Sequence, residues 1–238
     1  MPTALVTGAS AGFGAALTRA LADRGWQLVV DARRPDRLQA FTDSLSPTAS
    51  VVGIAGDVSD PAHRAALADA VAGIGSLALL VNNASTLGPT PLPPLSTLPV
   101  DGLAAVYDVN VVAPLALIQT LLPALTENAG TVVNLSSDAA VDHYPGWGAY
   151  GAAKAALDHV TLTLAAENPA VHWYAVDPGD MRTQMHQAAF PGEDISDRPE
   201  PETVVPALLA LLDARPRSGR YRAADFAPAD PATQGVRS

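Results

Sequence analysis

ALVTGASAGFGAALTRALADRGWQLVVDARR, residues 4–34, reads as strand, glycine-rich turn, helix and second strand in direct succession. The apolar run Ala4–Thr7 is short and partly β-branched, as a buried strand requires. Gly8, Gly12 and Gly14 follow at once, and the pattern near 13–24 is that of an amphipathic helix. Glycines let the main chain turn tightly and approach an anion closely, and a helix N-terminus offers free N–H groups with partial positive charge. A glycine pattern alone also fits a merely structural turn. Here the strand before it, the helix after it and the next strand, Gln27–Ala32, make it a phosphate or dinucleotide cradle. The second strand closes on Asp31, Ala32, Arg33 and Arg34. In such folds an acid at this strand end grips a ribose 2′-hydroxyl, whereas arginine suits a 2′-phosphate.

The alternation continues along the chain. Strand candidates are Val51–Ala55, Ala78–Asn82, Thr131–Leu135 and Val171–Val176; helix candidates lie near 36–45, 61–72, 101–126 and 149–167, with a last one at 203–213. Strands too apolar to be one-sided, separated by helices, predict an α/β doubly wound Rossmann fold, a mostly parallel sheet with helices on both faces. At 238 residues, one domain over 1–238 with a built-in substrate site is expected. The stretch GPTPLPPLSTLP at 88–99 reads as a stiff surface loop, because the strand–helix pattern resumes straight after it. The stretch HQAAFPGEDISDRPEPE at 186–202 carries five acids and three prolines. It reads as disordered or as a mobile lid with little apolar surface of its own.

Composition removes other classes. A net charge of −10 disfavours nucleic acid or an anionic membrane as partner. There is no cysteine, which excludes disulfides, thiolate metal sites and cysteine nucleophiles. Histidines such as His63, His159 and His172 are scattered, so no metal is expected. The N-terminus lacks a basic segment followed by an apolar core. No uninterrupted apolar run reaches about 18 residues; the most apolar helical stretch, 103–125, carries Asp108, Asn110 and Gln119. A cytoplasmic location is the expectation.

Lys154 is the chain's single lysine, and it stands four residues after Tyr150. Positions i and i+4 share a helix face, so both can enter one cleft. A nearby ammonium favours phenolate and lowers a tyrosine's pKa, and a phenol so tuned can exchange a proton with a substrate oxygen. An ordinary surface pair has the same spacing. Two neighbours add weight. Ser136 and Ser137 close the strand Thr131–Leu135, at the end where open α/β sheets bind ligands. Pro114 lacks the N–H that would close a helical bond to the Asn110 carbonyl, which leaves that oxygen free for water; a simple kink is the alternative.

Together these residues resemble the short-chain dehydrogenase/reductase family, in its short single-domain form. The resemblance rests on TGASAGFG, NNAS at 82–85, Asn110, Ser137 thirteen residues before Tyr150, YGAAK and DPGDMRT at 177–183. It spans about residues 3–183 and weakens towards 222. It implies that Tyr150 is the general acid/base, that Ser137 holds the substrate oxygen, that Lys154 binds the nicotinamide ribose and tunes the phenol, and that Asn110 holds a relay water. Arginine would be a broad and rigid substitute at such a point contact. The resemblance extends the cofactor site to Gly8, Ser10, Gly12, Phe13 and Gly14, to Asn83 and Ala84, and to Pro178, Gly179, Met181 and Thr183. It places Ala32 at the position that discriminates between cofactors, with Arg33 and Arg34 after it, so NADP is preferred and NAD remains possible. Asp57 and Val58 could frame the adenine, although Asp57 could equally cap the helix starting at Asp60 or Pro61.

The chain departs from the family pattern at Ser85, where glycine is usual, and at Asp177, where asparagine is usual; neither is expected to touch the proton chemistry. The ending RSGRYRAADFAP lacks the usual glycine-rich form, which leaves a C-terminal strand in question. The reading is an NADP-dependent oxidoreductase moving a hydride between nicotinamide and a carbonyl or alcohol, with a small-molecule substrate and a homo-oligomeric assembly, dimer or tetramer. Its rival is a cofactor-binding sensor or scaffold with weak catalysis, disfavoured by intact Asn110, Ser137, Tyr150 and Lys154. An extended-type enzyme acting on nucleotide sugars is disfavoured by the short tail. DHYPGWG at 142–148, with His143, Tyr144 and Trp147, and Met185 further on, are expected at the substrate entrance.

Overall fold

The computed structural model describes residues 1–227, so the last residue of the RSGRYRAADFAP stretch lies outside the described residues. Seven strands form one sheet: β1 (Thr3–Val6), β2 (Gln27–Ala32), β3 (Val51–Ala55), β4 (Leu79–Asn82), β5 (Thr131–Leu135), β6 (His172–Asp177) and β7 (Gly219–Arg222). All pair in parallel, in the order β3-β2-β1-β4-β5-β6-β7. The order reverses between β1 and β4, which opens a crevice at their C-terminal ends. Strand β7 exists, parallel to β6, despite the atypical tail.

Alternate residues serve opposite faces. Ala4 and Val6 of β1 face α1 (Gly12–Asp23), α2 (Pro35–Asp43) and α8 (Pro201–Ala214), through Leu17, Leu21, Leu38, Phe41, Leu208 and Leu211. Leu5 faces the other way, towards α3 (Pro61–Ile74) and α5 (Ala113–Glu127), where Leu67, Val71, Leu117, Ile118 and Leu121 pack with Trp173. Not every strand is two-sided. The edge strand β3 leaves Val52, Gly53 and Ala55 exposed.

The helix expected over 101–126 is interrupted. It runs as α4 (Val100–Tyr107), a π-helical turn at Asp108–Val112 and then α5. Pro114 removes one ordinary helical donor, and the chain takes up the slack with a wider turn that carries Asn110. By length and composition alone the whole run Val100–Glu127 could cross a membrane; in the fold its Leu117, Ile118 and Leu121 lie in the core. Two further helices frame the cleft: α6 (Gly148–Glu167), which carries the tyrosine and the lysine, and the short α7 (Gln184–Ala189). Other boundaries fall within a few residues of expectation; β1 stops at Val6 because the Thr7 N–H and hydroxyl are committed to the β4 end.

Candidate active site

A cleft of about 870 Å³ lies over the crevice at the strand ends. Its floor begins at the glycine turn. Gly8 has φ of +68° and gives its N–H to Asp31 Oδ1 at 2.6 Å. The Thr7 hydroxyl accepts from the N–H groups of Asn83 and Ala84, at 3.0 Å each, while Asn83 Nδ2 donates to the carbonyls of Thr7 and Gly8. The turn is therefore bolted to both neighbouring strands. Helix α1 has Ala11 at its N-cap, with no side-chain cap and no acid in its first turn. Its first N–H groups are thus left for an anion, which fits a dinucleotide pyrophosphate.

Ser10, Gly12, Phe13, Asn83, Ala84, Pro178, Gly179, Met181 and Thr183 line this part of the cleft, as expected. Gly14 does not. A Cβ there would stand 2.4 Å from both Asn83 Nδ2 and the Gly8 carbonyl, so Gly14 is a packing glycine under the turn. The Thr183 hydroxyl caps α7, accepting from the His186 N–H.

Beyond β2, Arg33, Arg34, Asp57 and Val58 line the cleft, joined by Arg37, which the sequence reading missed. Arg34 pairs with Asp36 at 2.9 Å, so its charge is already met. Arg37 reaches across to Gln184 on α7 at 3.2 Å. Asp57 is not a helix cap: it accepts from Ser59, and Asp60 caps α3. Asp31 is buried, holding Gly8 with one oxygen and meeting His63 Nε2 at 3.0 Å with the other.

At the other end, β5 and α6 bring Ser137, Tyr150 and Lys154 together on the cleft wall. Lys154 is 2% exposed; its Nζ donates to the Leu135 carbonyl at 2.7 Å and lies 5.4 Å from the Tyr150 ring centre. Burial drives its pKa down to about 8, and the Asp158 carboxylate, one turn along α6, opposes the fall. Burial raises the Tyr150 pKa above the ordinary phenol value. The nearby hydroxyls of Ser137 and Ser85 work against that rise, while the charges of Asp138 and Asp177 add to it. The Ser137 hydroxyl donates to Asp138 Oδ1 at 2.9 Å.

Ser85 therefore bears on the Tyr150 phenol, which the sequence reading did not foresee. It stands beside the phenol and also donates to Asn110 Oδ1 at 3.1 Å. Asp177 bears on the phenol through its charge. Asn110 is buried and outside the cleft lining, its side chain spent on Ser85 and on the main chain of Thr86. Behind Ser137 and Lys154 lies a buried network that the sequence did not reveal. Arg220 Nε meets Asp158 Oδ2 at 2.8 Å, and its Nη2 donates to the Ser137 carbonyl at 2.9 Å. The Ser136 hydroxyl meets the same Asp158 oxygen at 2.8 Å.

Tyr144, Trp147 and Met185 line the end of the cleft beside Tyr150, whereas His143 is exposed and outside the lining. The segment 186–202 has more apolar anchorage than its composition suggested. Its first residues belong to α7, Ile195 is buried, and Phe190 packs on Trp147 at 5.9 Å between ring centres.

The sequence pattern of the short chain dehydrogenases matches residues 2–194. The chain is 36% identical to the serine 3-dehydrogenase of Rhizobium radiobacter over 189 residues, 77% of this chain and 73% of that one. It is 31% identical to the NADP-dependent 3-hydroxy acid dehydrogenase YdfG of Shigella flexneri over 199 residues, 80% of this chain and 77% of that one. The fold superimposes on the alcohol dehydrogenase of the archaeon Thermococcus sibiricus, solved with 5-hydroxy-NADP, with a TM-score of 0.84 at 25% identity, covering 93% of this chain and 95% of that one.

Proposed function

The chain belongs to the short-chain dehydrogenase/reductase family and is a nicotinamide-dependent oxidoreductase, and from that premise we propose that it is an NADP-dependent enzyme of carbonyl reduction or alcohol oxidation with Tyr150 as general acid/base. The observation that carries this reading is the convergence of Ser137, Tyr150 and Lys154 on one wall, opposite an uncapped helix N-terminus able to hold a pyrophosphate. The nicotinamide, when bound, supplies or accepts the hydride. Ser137 hydrogen-bonds the substrate oxygen and orients it. Tyr150, whose phenol stays protonated at neutral pH, delivers the proton to that oxygen. Lys154 is still mostly cationic at pH 7 and offsets the negative charge left on the phenol. Asn110 anchors Ser85 beside the phenol, and its main-chain oxygen is offered to a relay water.

Arg33 at the end of β2 supports NADP over NAD, as do the NADP in the printed names of the YdfG relative and of the archaeal structure. One assay tests the whole reading: oxidation of NADPH and of NADH against a panel of aldehydes and ketones. The wild type should turn over with NADPH, and Tyr150→Phe should lose about 10²–10⁴-fold in kcat with NADPH affinity intact. Arg33→Ala should weaken NADPH about 10- to 100-fold and leave NADH nearly unchanged. Wild-type rates in Tyr150→Phe, or equal use of both cofactors by the wild type, would count against the proposal.

Assembly as a dimer or tetramer through α5 and α6 belongs to the same reading. Val112, just ahead of α5, and Leu162 on α6 are 49% and 43% exposed and would be available to such a contact. Light scattering at micromolar concentration should report more than a monomer; a monomer there contradicts it.

A further inference from the structure

Aromatic rings wall the substrate end of the cleft in series. His186 lies against Phe190 at 4.9 Å between ring centres, Phe190 against Trp147 at 5.9 Å, and Trp147 meets Tyr150 edge-on at 5.7 Å. The chain of rings leads from α7 to the phenol. A planar ring carrying the reacting carbonyl can lie along it by offset or edge contacts.

One polar atom in this wall has no partner. The His186 side chain is 9% exposed, yet its Nε2 makes no hydrogen bond. A buried nitrogen in that state is unfavourable, and because His186 lines the cleft a turn of its ring would bring Nε2 to a donor on a bound substrate. The Asp180 carboxylate, 3.7 Å from Nδ1, favours the proton on that nitrogen and leaves Nε2 as an acceptor.

The charges at this end are those of acids. Asp138 accepts the Ser137 hydroxyl, one bond from the position assigned to the substrate oxygen. Arg182 is held by Glu200, and Arg198 by Asp180 and Asp197; neither arginine lines the cleft. The Lys154 ammonium is buried and engaged with the Leu135 carbonyl. Among the described residues, no free cation stands where a substrate carboxylate would need one. Such a carboxylate would lie beside Asp138 unpaired, in a partly buried site where like charges repel strongly.

We propose that this site selects a planar aromatic carbonyl compound, neutral or cationic, bearing a hydrogen-bond donor that His186 Nε2 accepts, and that it discriminates against hydroxy-acid and oxo-acid carboxylates. This rests on the proposed function above and names the substrate class for the same site. It separates this chain from the serine and 3-hydroxy acid dehydrogenases it resembles, whose named substrates carry a carboxylate.

The test uses 4-formylbenzamide and 4-formylbenzoate, alike in shape and in carbonyl but opposite in the charge and donor at the far end, with butanal as a small aliphatic control. With NADPH, the amide should exceed the carboxylate in kcat/KM by about tenfold or more, the scale of one hydrogen bond gained and one charge repulsion avoided. His186→Leu should raise KM for the amide about tenfold and change KM for butanal much less. His186→Gln, which keeps an acceptor, should recover part of the KM. Equal or better use of the carboxylate, or an unchanged KM in His186→Leu, overturns the inference while the reductase reading stands. Calorimetric titration of both aromatic compounds into the NADPH complex separates the remaining case: no turnover of any aldehyde condemns the reductase reading, while tighter binding of the amide still supports the selectivity and equal binding overturns it.

Discussion

The two sides of the cleft are held together by different chemistry. On the side of the glycine turn, the link between β1 and α1 is fixed by hydrogen bonds to its main chain, from Asp31 on β2 and from Thr7 and Asn83 at the β1 and β4 ends. Geometry there leaves almost no room for side chains. On the reactive side, β5 and α6 are joined by buried charge: Lys154, Asp158 and Arg220. The first arrangement is cheap in free energy and intolerant of added atoms. The second is costly, because ions leave water, and it exists to hold a cation beside a phenol.

Lys154 gives the largest test of that contrast. Its folded-state pKa, about 8, lies below the ordinary lysine value of 10.5. Folding therefore opposes its protonation. The cost is fully present below pH 8 and is relieved as pH rises from 8 to 10.5, because the folded lysine is then already neutral. It amounts to about 3 kcal/mol, from about 1.4 kcal/mol per pKa unit. Lys154→Met should therefore be more stable than wild type at pH 7 by a large part of that amount, and the gain should shrink towards pH 10.5. Urea unfolding at the two pH values measures this. A variant less stable than wild type at pH 7 would remove the idea that this side carries a stability cost for function.

Gly14 tests the other side. Gly14→Ala places a methyl group 2.4 Å from the Gly8 carbonyl and Asn83, and overpacking of that kind costs about 1–3 kcal/mol. Because the displaced atoms carry the turn, NADPH affinity should fall along with thermal stability. Retention of both would show that the turn has slack and would break the contrast.

The smallest expected effect concerns 186–202, which we read as a lid over the nicotinamide end. It is tied to the site by the Thr183 cap and by Phe190 on Trp147. Hydrogen exchange in this segment should be faster without cofactor and slower with NADPH, with KM and kcat both sensitive to its closure. Equal, strong protection in both states would make it a fixed wall.

What was legible in the sequence follows the same division. The glycine turn and the Tyr150–Lys154 pair were readable because each is local: a strand end running into a helix, and two residues one helical turn apart. Ser137 was readable from its place at a strand end. The Asp158–Arg220 pair spans 62 residues and the Asp31–His63 pair 32, and only the strand order brings each together. Ser85 was expected to stand clear of the phenol, because its influence on Tyr150 depends on how the chain after β4 folds back. Gly14 was read as part of the cradle with the other two glycines, whereas its neighbours are the atoms under the turn. The segment 186–202 misled by composition: its acids and prolines are real, but Phe190 and Ile195 suffice to seat it.

The position of Arg220 on the last strand also orders the making of the protein. A chain emerging residue by residue completes β1 to β6 and helix α6 well before β7 exists. Until residue 220 arrives, Asp158 is a carboxylate placed for burial with its cation missing, and the carbonyl of Ser137 lacks the donor that braces it. Leaving the Asp158 carboxylate without this half-buried partner costs stability, though less than the loss of a fully buried pair. The catalytic end of the sheet is thus the last part to become sound, and a product cut short before β7 would carry the phenol and the lysine on an unfinished frame.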